Sequence, residues 1–200
     1  MSARFSALDG GKETKMARKT SHPLSELPCR DDDGNLQVVI ETPRKSPNKY
    51  RYDPECGTLL LSSMLPEGMS FPYDFGFIPS TEGGDGDPLD VLVLMDEPAI
   101  PLAIVRTRLI GAIEAEQKDG DSGWETNTRL IGVATHAHSH ADETSLKSLR
   151  PHLVEEIIAF FEQYNRQRGS EFRCTGLCGP RKAARLVEAG ERQFRKNRKK

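Results

Sequence analysis

Asp85-Gly86-Asp87-Pro88-Leu89-Asp90 runs straight into Val91-Leu92-Val93-Leu94, an acidic turn feeding a short apolar strand. Three carboxylates within six residues repel one another once the chain folds, because each ionised group raises the cost of ionising the next. A cation among them relieves that repulsion. Oxygen-only ligands on a short, stiff turn suit a hard divalent ion, Mg²⁺ above all, which takes one or two carboxylates and fills its shell with water and phosphate oxygens. Gly83, Gly84 and Gly86 let the backbone turn tightly, while Pro88 fixes its own φ and biases Asp87 away from helix. Asp90 then stands at the mouth of a buried strand, where rigid scaffold meets loop. The same residue types also build plain turns. A calcium EF-hand loop fits worse, since it needs Gly at its sixth position and the sixth residue from Asp85 is Asp90. The surrounding chain has to decide.

Upstream, residues 36–42 read as the first strand, with the β-branched Val38, Val39 and Ile40 and with Glu41 at its end. Pro43 and Pro47 break the chain into a loop, and residues 50–61 read as a hairpin turning at Glu55-Cys56-Gly57. Phe71, Tyr73, Phe75 and Phe77 alternate, a strand signal that core packing also explains. Downstream, residues 91–95 form a strand and residues 103–116 further strands, with Gly111 at a bulge or bend. Residues 117–127 read as a polar loop and residues 129–135 as the final strand. Five or six strands with no helix between them imply a small, mostly antiparallel barrel or curled sheet. Helices follow. Pro151 opens one that carries Leu153, Ile157, Phe160, Phe161 and Tyr164 on a single face, and Gly179-Pro180 starts another through Ala183, Ala184, Leu186 and Val187. The fold class is mainly β, or α+β.

Two hundred residues, 36% of them hydrophobic, suit one domain with a substantial core. The division expected is a flexible arm over residues 1–35, a folded domain over 36–195 and a basic tail over 196–200. With 28 basic against 30 acidic side chains the net charge is −2, which gives no general argument for nucleic acid. No apolar run nears the roughly 20 residues that span a bilayer. Residues 1–27 are polar and basic without an apolar signal core, so the chain is read as cytoplasmic. Four scattered cysteines do not suggest a disulfide framework. His136, His138 and His140 follow the last expected strand with no carboxylate beside them and read as a polar loop.

The order of these pieces resembles the family I soluble inorganic pyrophosphatases. Asp85-Gly-Asp-Pro-Leu-Asp90-Val-Leu-Val closely matches that family's signature of three aspartates entering a strand. Val-Val-Ile-Glu41-Thr-Pro with Lys49-Tyr50, the segment Phe71-Pro-Tyr-Asp-Phe75-Gly-Phe-Ile, Arg129-Leu-Ile-Gly-Val and the helix bearing Phe160-Phe-Glu-Gln-Tyr164 fit in the same order. The resemblance implies an OB-like five-stranded β-barrel with flanking C-terminal α-helices, Mg²⁺-dependent hydrolysis of pyrophosphate to two phosphates, and a homo-oligomer, often a hexamer. It also implies roles for residues. Asp85 and Asp90 would be metal ligands, Asp87 the base that deprotonates the attacking water, and Glu41 an outer carboxylate orienting metal-held water. Lys49, Arg129 and Tyr164 would contact phosphate oxygens.

Departures from the family pattern are several. Arg51 stands where Glu is usual, Ser63 replaces a phosphate-binding Arg, and Phe71 and Phe75 replace tyrosines. Gln117 and Asn127 align with two metal-binding aspartates, Arg129 with a lysine, and Asn165 with another lysine. Amides in place of carboxylates keep oxygen donors but remove two negative charges, which implies weaker metal binding. Asp119 and Asp121 are candidates to replace the missing ligands. Two readings compete with hydrolysis of pyrophosphate: a catalytically impaired phosphate-binding or interaction protein on the same fold, and a hydrolase of another phosphoanhydride.

Overall fold

The computed structural model describes residues 23–198. After a short 3₁₀ turn at Leu24–Glu26 come strands β1 (Leu36–Thr42), β2 (Asn48–Asp53), β3 (Thr58–Met64), β4 (Asp74–Phe77), β5 (Asp90–Leu94), β6 (Ile104–Asp119), β7 (Glu125–Thr126) and β8 (Arg129–Ala134). Helix α1 (Leu153–Gln167), strand β9 (Ser170–Cys178) and helix α2 (Pro180–Asn197) complete the chain.

Five strands close on themselves. β1 pairs with β4, β4 with β5, β5 with β8, β8 with β6, and β6 returns to β1. Every one of these pairings is antiparallel except β5–β8, so the ring agrees with the OB-like barrel that the resemblance implies. β6 is long enough for two tasks: its N-terminal part closes the ring, while its C-terminal part runs on to pair with β7 and β9. The register shifts between Leu109 and Gly111. A side chain at Gly111 would stand 2.5 Å from the Cys178 carbonyl oxygen, so the close approach of β9 there requires glycine. β2 and β3 form a separate two-stranded hairpin beside β1.

The barrel interior is aliphatic, with Val38, Ile40, Leu92, Leu94, Ile110, Ile113 and Ile131 almost wholly excluded from water. Burial of this kind stabilises by about 25 cal/mol per Å² of apolar surface. Helix α1 lays Leu153, Ile157, Phe161 and Tyr164 against the sheet at its helical spacing. Phe161 meets Phe75 at 6.4 Å and Phe172 at 5.5 Å between ring centroids, and Phe71 meets Phe160 at 5.3 Å. An aromatic wedge therefore joins the barrel mouth to the helix layer.

The structure departs from the sequence expectation in five places. Residues 129–135 are not the final strand, because β9 follows α1 and separates the helices. Gln117 to Asp119 lie in β6 rather than in a loop, held by pairing to β9. β4 begins at Asp74, so Phe71 and Tyr73 pack from the loop before it. Residues 23–35, expected within a free arm, pack on the domain: Cys29 is buried and Ser80 Oγ donates to the Leu27 carbonyl at 2.8 Å. Lys196 and Asn197, expected in the basic tail, continue α2. Residues 1–22 of the expected arm and 199–200 of the expected tail lie outside the described residues.

Candidate active site

The acidic turn leaves β4 and enters β5 as a braced loop. Thr81 Oγ1 donates to the Ile78 carbonyl at 2.6 Å and accepts the Leu89 N–H at 3.1 Å, tying the two ends together. Within the turn, Asp85 Oδ1 accepts the Asp87 N–H at 3.1 Å, Gly83 N–H donates to the Asp87 carbonyl at 2.7 Å, and Gly86 takes φ 86°, a region open to glycine. From behind, Glu82 N–H donates to the Gly190 carbonyl of α2 at 3.1 Å. Asp85 and Asp87 stand exposed at the rim and Asp90 is half-buried at the strand mouth.

Glu41 reaches the same place through a bulge. Ile40 faces Gly76 and Thr42 faces Phe75, so Glu41 has no partner on β4 and its side chain is re-aimed. It is 6% exposed, and its Oε1 accepts the Tyr52 N–H at 2.6 Å, which pins the β2–β3 hairpin to β1. Burial pushes its carboxyl up to about 7, helped by the charge of Asp90 and opposed by that hydrogen bond and by Lys49 and Arg51. Desolvation and then the neighbouring Asp85 raise Asp87 as well, although the residue as a whole is exposed; Arg51 and Lys49 act against the shift. Glu41, Asp85, Asp87 and Asp90 line one cavity of about 440 Å³ together with Lys49 and Arg51.

Two of the sequence-derived site residues bind each other. Asp90 and Arg129 open the neighbouring parallel strands β5 and β8, where Val91 faces Leu130 in register. Arg129 donates through Nη1 to Asp90 Oδ2. The arginine is 6% exposed, its guanidinium carbon lies 5.3 Å from the Phe161 ring centroid and 5.8 Å from that of Phe75, and its Nε has no partner. Lys49 Nζ sits 5.6 Å from the Phe75 ring and 5.9 Å from that of Tyr164. Tyr164 is buried on α1 with its hydroxyl 3.4 Å from Ser63 Oγ. The sequence did not single out Arg168, which donates to that same hydroxyl; its position one helical turn beyond Tyr164 was the available signal.

The amides in place of the expected carboxylates face each other. Asn127 Nδ2 donates to Gln117 Oε1 at 2.7 Å, and Gln117 Nε2 donates to Asp119 Oδ1 at 3.1 Å. Asp119 is thus engaged by Gln117 and does not join the turn carboxylates, and Asp121 is exposed. Asn165 turns inward, donating to the Phe161 carbonyl at 2.8 Å. Among the described residues no three acidic, histidine or cysteine side chains converge closely enough to hold an ion by themselves. The donor chemistry nevertheless fits a hard divalent cation, because four carboxylates open on one cavity and such an ion completes its shell with water and substrate oxygens.

The chain matches the family model described as inorganic pyrophosphatase over residues 38–195. It is 36% identical over 171 residues to the inorganic pyrophosphatase of Thermus thermophilus, covering 83% of this chain and 94% of that protein. It is 35% identical over 169 residues to soluble inorganic pyrophosphatase 2 of Chlamydomonas reinhardtii, covering 84% and 85%. The crystal structure of the Thermus thermophilus inorganic pyrophosphatase superposes with a TM-score of 0.78 at 33% identity, over 86% of this chain and 99% of that one. That of Helicobacter pylori gives 0.76 at 29% identity, over 84% and 98%.

Proposed function

The chain belongs to the inorganic pyrophosphatase family, and from that premise we propose that its acidic cavity hydrolyses inorganic pyrophosphate to two phosphates. The observation that carries the reading is the meeting of Glu41, Asp85, Asp87 and Asp90 with Lys49 and Arg51 around one cavity. Water attacks one phosphorus, the bridging P–O bond breaks, and the proton lost by the water is taken by a base. Asp87 is that base: it stands at the rim, and its carboxyl is raised by partial burial and by Asp85, which strengthens it as a proton acceptor. Asp85 and Asp90, with Asp87, would hold divalent metal, Mg²⁺ in this reading, and Glu41 would orient the water around it. The bound metal supplies charge neutralisation and lowers the pKa of water. Lys49 and the Tyr164 hydroxyl meet phosphate oxygens as donors. Arg129 contributes from the start of β8, with its claim on a phosphate oxygen limited by its burial and by Asp90.

The same reading places the protein in the cytoplasm as a homo-oligomer, up to a hexamer. Leu60, Leu61 and Met64 on β3 are large apolar side chains open to solvent, which supports an oligomeric contact. No helix among the described residues is long and apolar enough to cross a membrane.

Phosphate release from pyrophosphate across a wide Mg²⁺ titration tests the function, run beside Asp87→Asn. We expect saturation only at raised Mg²⁺, because Gln117 and Asn127 satisfy each other and Asp90 is shared with Arg129. The variant should lose about 10²- to 10⁴-fold in rate, the usual contribution of a positioned base. Folded protein that releases no phosphate at any Mg²⁺ concentration would sink the reading in favour of a phosphate-binding module or another phosphoanhydride.

A further inference from the structure

Arg51 occupies a position that no ordinary packing role explains. It lies on β2 two residues after Lys49, on the strand that Glu41 fastens through the Tyr52 N–H. Its backbone is therefore fixed beside the acidic cavity, and it lines that cavity with Glu41 and Asp87. The described ion pairs use other cations: Arg129 holds Asp90, Arg106 holds Asp31, Lys182 holds Glu114. Among the described residues Arg51 enters none of them, and its side chain makes no hydrogen bond. Its side chain is open to solvent, so nothing in the fold holds the guanidinium back from a ligand.

We propose that Arg51 is a substrate-binding residue, one that grips a phosphate group of pyrophosphate together with Lys49 and gives the cavity an anion site that works without metal. This rests on the hydrolase reading. A guanidinium presents donors in a planar fork that matches two phosphate oxygens at once, whereas an ammonium acts as a point charge. Lys49 and Arg51 thus make a complementary pair on one strand, a point charge beside a fork. Without substrate, Arg51 offsets the charge of Glu41 and Asp87 at a distance, short of an ion pair. Divalent metal held by those acids would neutralise them, which would leave the substrate as the strongest anion within reach of the guanidinium. Asp85, Asp87 and Glu41 enter no ion pair among the described residues, while Asp90 would serve metal only in competition with Arg129. The chain's own cations then carry charge that further metal ions would otherwise supply.

The test uses the full chain stripped of metal with excess chelator, titrated calorimetrically with inorganic pyrophosphate. The wild type should bind measurably. Arg51→Gln should weaken that binding at least tenfold, Arg51→Lys should recover part of it, and Arg51→Glu should abolish it. The unfolding midpoint of Arg51→Gln in urea should match the wild type, which separates lost binding from lost folding. In Mg²⁺ the same variant should raise KM more than it lowers kcat. Absence of metal-free binding by the wild type, or equal binding by wild type and Arg51→Gln, overturns the proposal. Wild-type phosphate release in Mg²⁺ is read separately: release with an indifferent Arg51 leaves the hydrolase reading standing, and Arg51-dependent binding without release does the reverse.

Discussion

Removing the charge of Asp90 should unfold this protein more readily than any removal of charge elsewhere in the acidic turn. The Arg129 guanidinium lies over the rings of both Phe75 and Phe161 with its Nε unpartnered, and its side chain is 8% exposed. Asp90 is the carboxylate that balances it, and its own side chain is 29% exposed. Breaking a fully buried pair by deleting one partner costs about 3–5 kcal/mol, since the survivor is left as an uncompensated charge in a poor solvent. Water reaches the Asp90 side of this pair, so the low end applies and Asp90→Asn should cost about 2–3 kcal/mol. For a chain of this size that is a fall in Tm of about 5–10 °C. Arg129→Met should cost less, because the surviving Asp90 can hydrate, and the double variant should recover a coupling of about 2 kcal/mol over the sum of the singles. Urea unfolding in metal-free buffer measures all three without the added stabilisation of bound ions. Asp90→Asn within about 0.5 kcal/mol of the wild type, or strict additivity in the double variant, would refute the reasoning.

Glu41 makes stability depend on pH. Its carboxyl is raised from 4.5 to about 7 by burial, so the native state holds the proton that the unfolded chain releases. Stability in metal-free buffer should therefore fall as pH rises between about 4.5 and 7 and level off above, by about 3 kcal/mol at 1.36 kcal/mol per unit. Glu41→Gln should remove that slope while keeping an acceptor for the Tyr52 N–H, and denaturant midpoints across the window compare the two; parallel slopes would count against it. Asp74 is fully buried, and its Oδ1 accepts the Ala99 N–H at 3.0 Å and the Arg44 N–H at 3.4 Å. Asp74→Ala strands both donors and should cost about 2–4 kcal/mol, with faster amide exchange at Ala99; unchanged exchange there would mean that the carboxylate does not hold the loop.

The acidic turn was legible because its chemistry is local: three carboxylates within six residues state their conflict without any knowledge of the fold. β1 and the β2–β3 hairpin were legible for a similar reason, as β-branched runs and a glycine turn act over a few residues. β9 was not. Only Phe172 and Cys178 on it are buried, and Arg173 and Gly176 between them carry no strand signal; eight pairings with β6 make it a strand. The same pairings keep Gln117 extended where its polarity reads as loop.

The candidate site was legible as a set of residues but not as a set of bonds, and the difference changes its chemistry. Asp90 and Arg129 are 39 residues apart, and each alone suggests a ligand, one for metal and one for phosphate. Only the parallel register of β5 and β8 sets them side by side, where each satisfies the other first. Gln117 and Asn127 likewise look like weakened metal ligands in sequence, yet β6 and the entry to β8 bring their amides together as a closed pair. In both cases the fold spends on internal neutrality groups that could have met ions. The carboxylates left open on the cavity are Asp85, Asp87 and Glu41, whose carboxyl burial raises to about 7, and the cations left open there are Lys49 and Arg51. A cavity with fewer free acids and an unpaired guanidinium at Arg51 shifts the work of holding a densely anionic substrate from metal toward the chain itself. Weak metal binding and strong direct anion binding are then two consequences of one charge balance, and they should be found together or not at all.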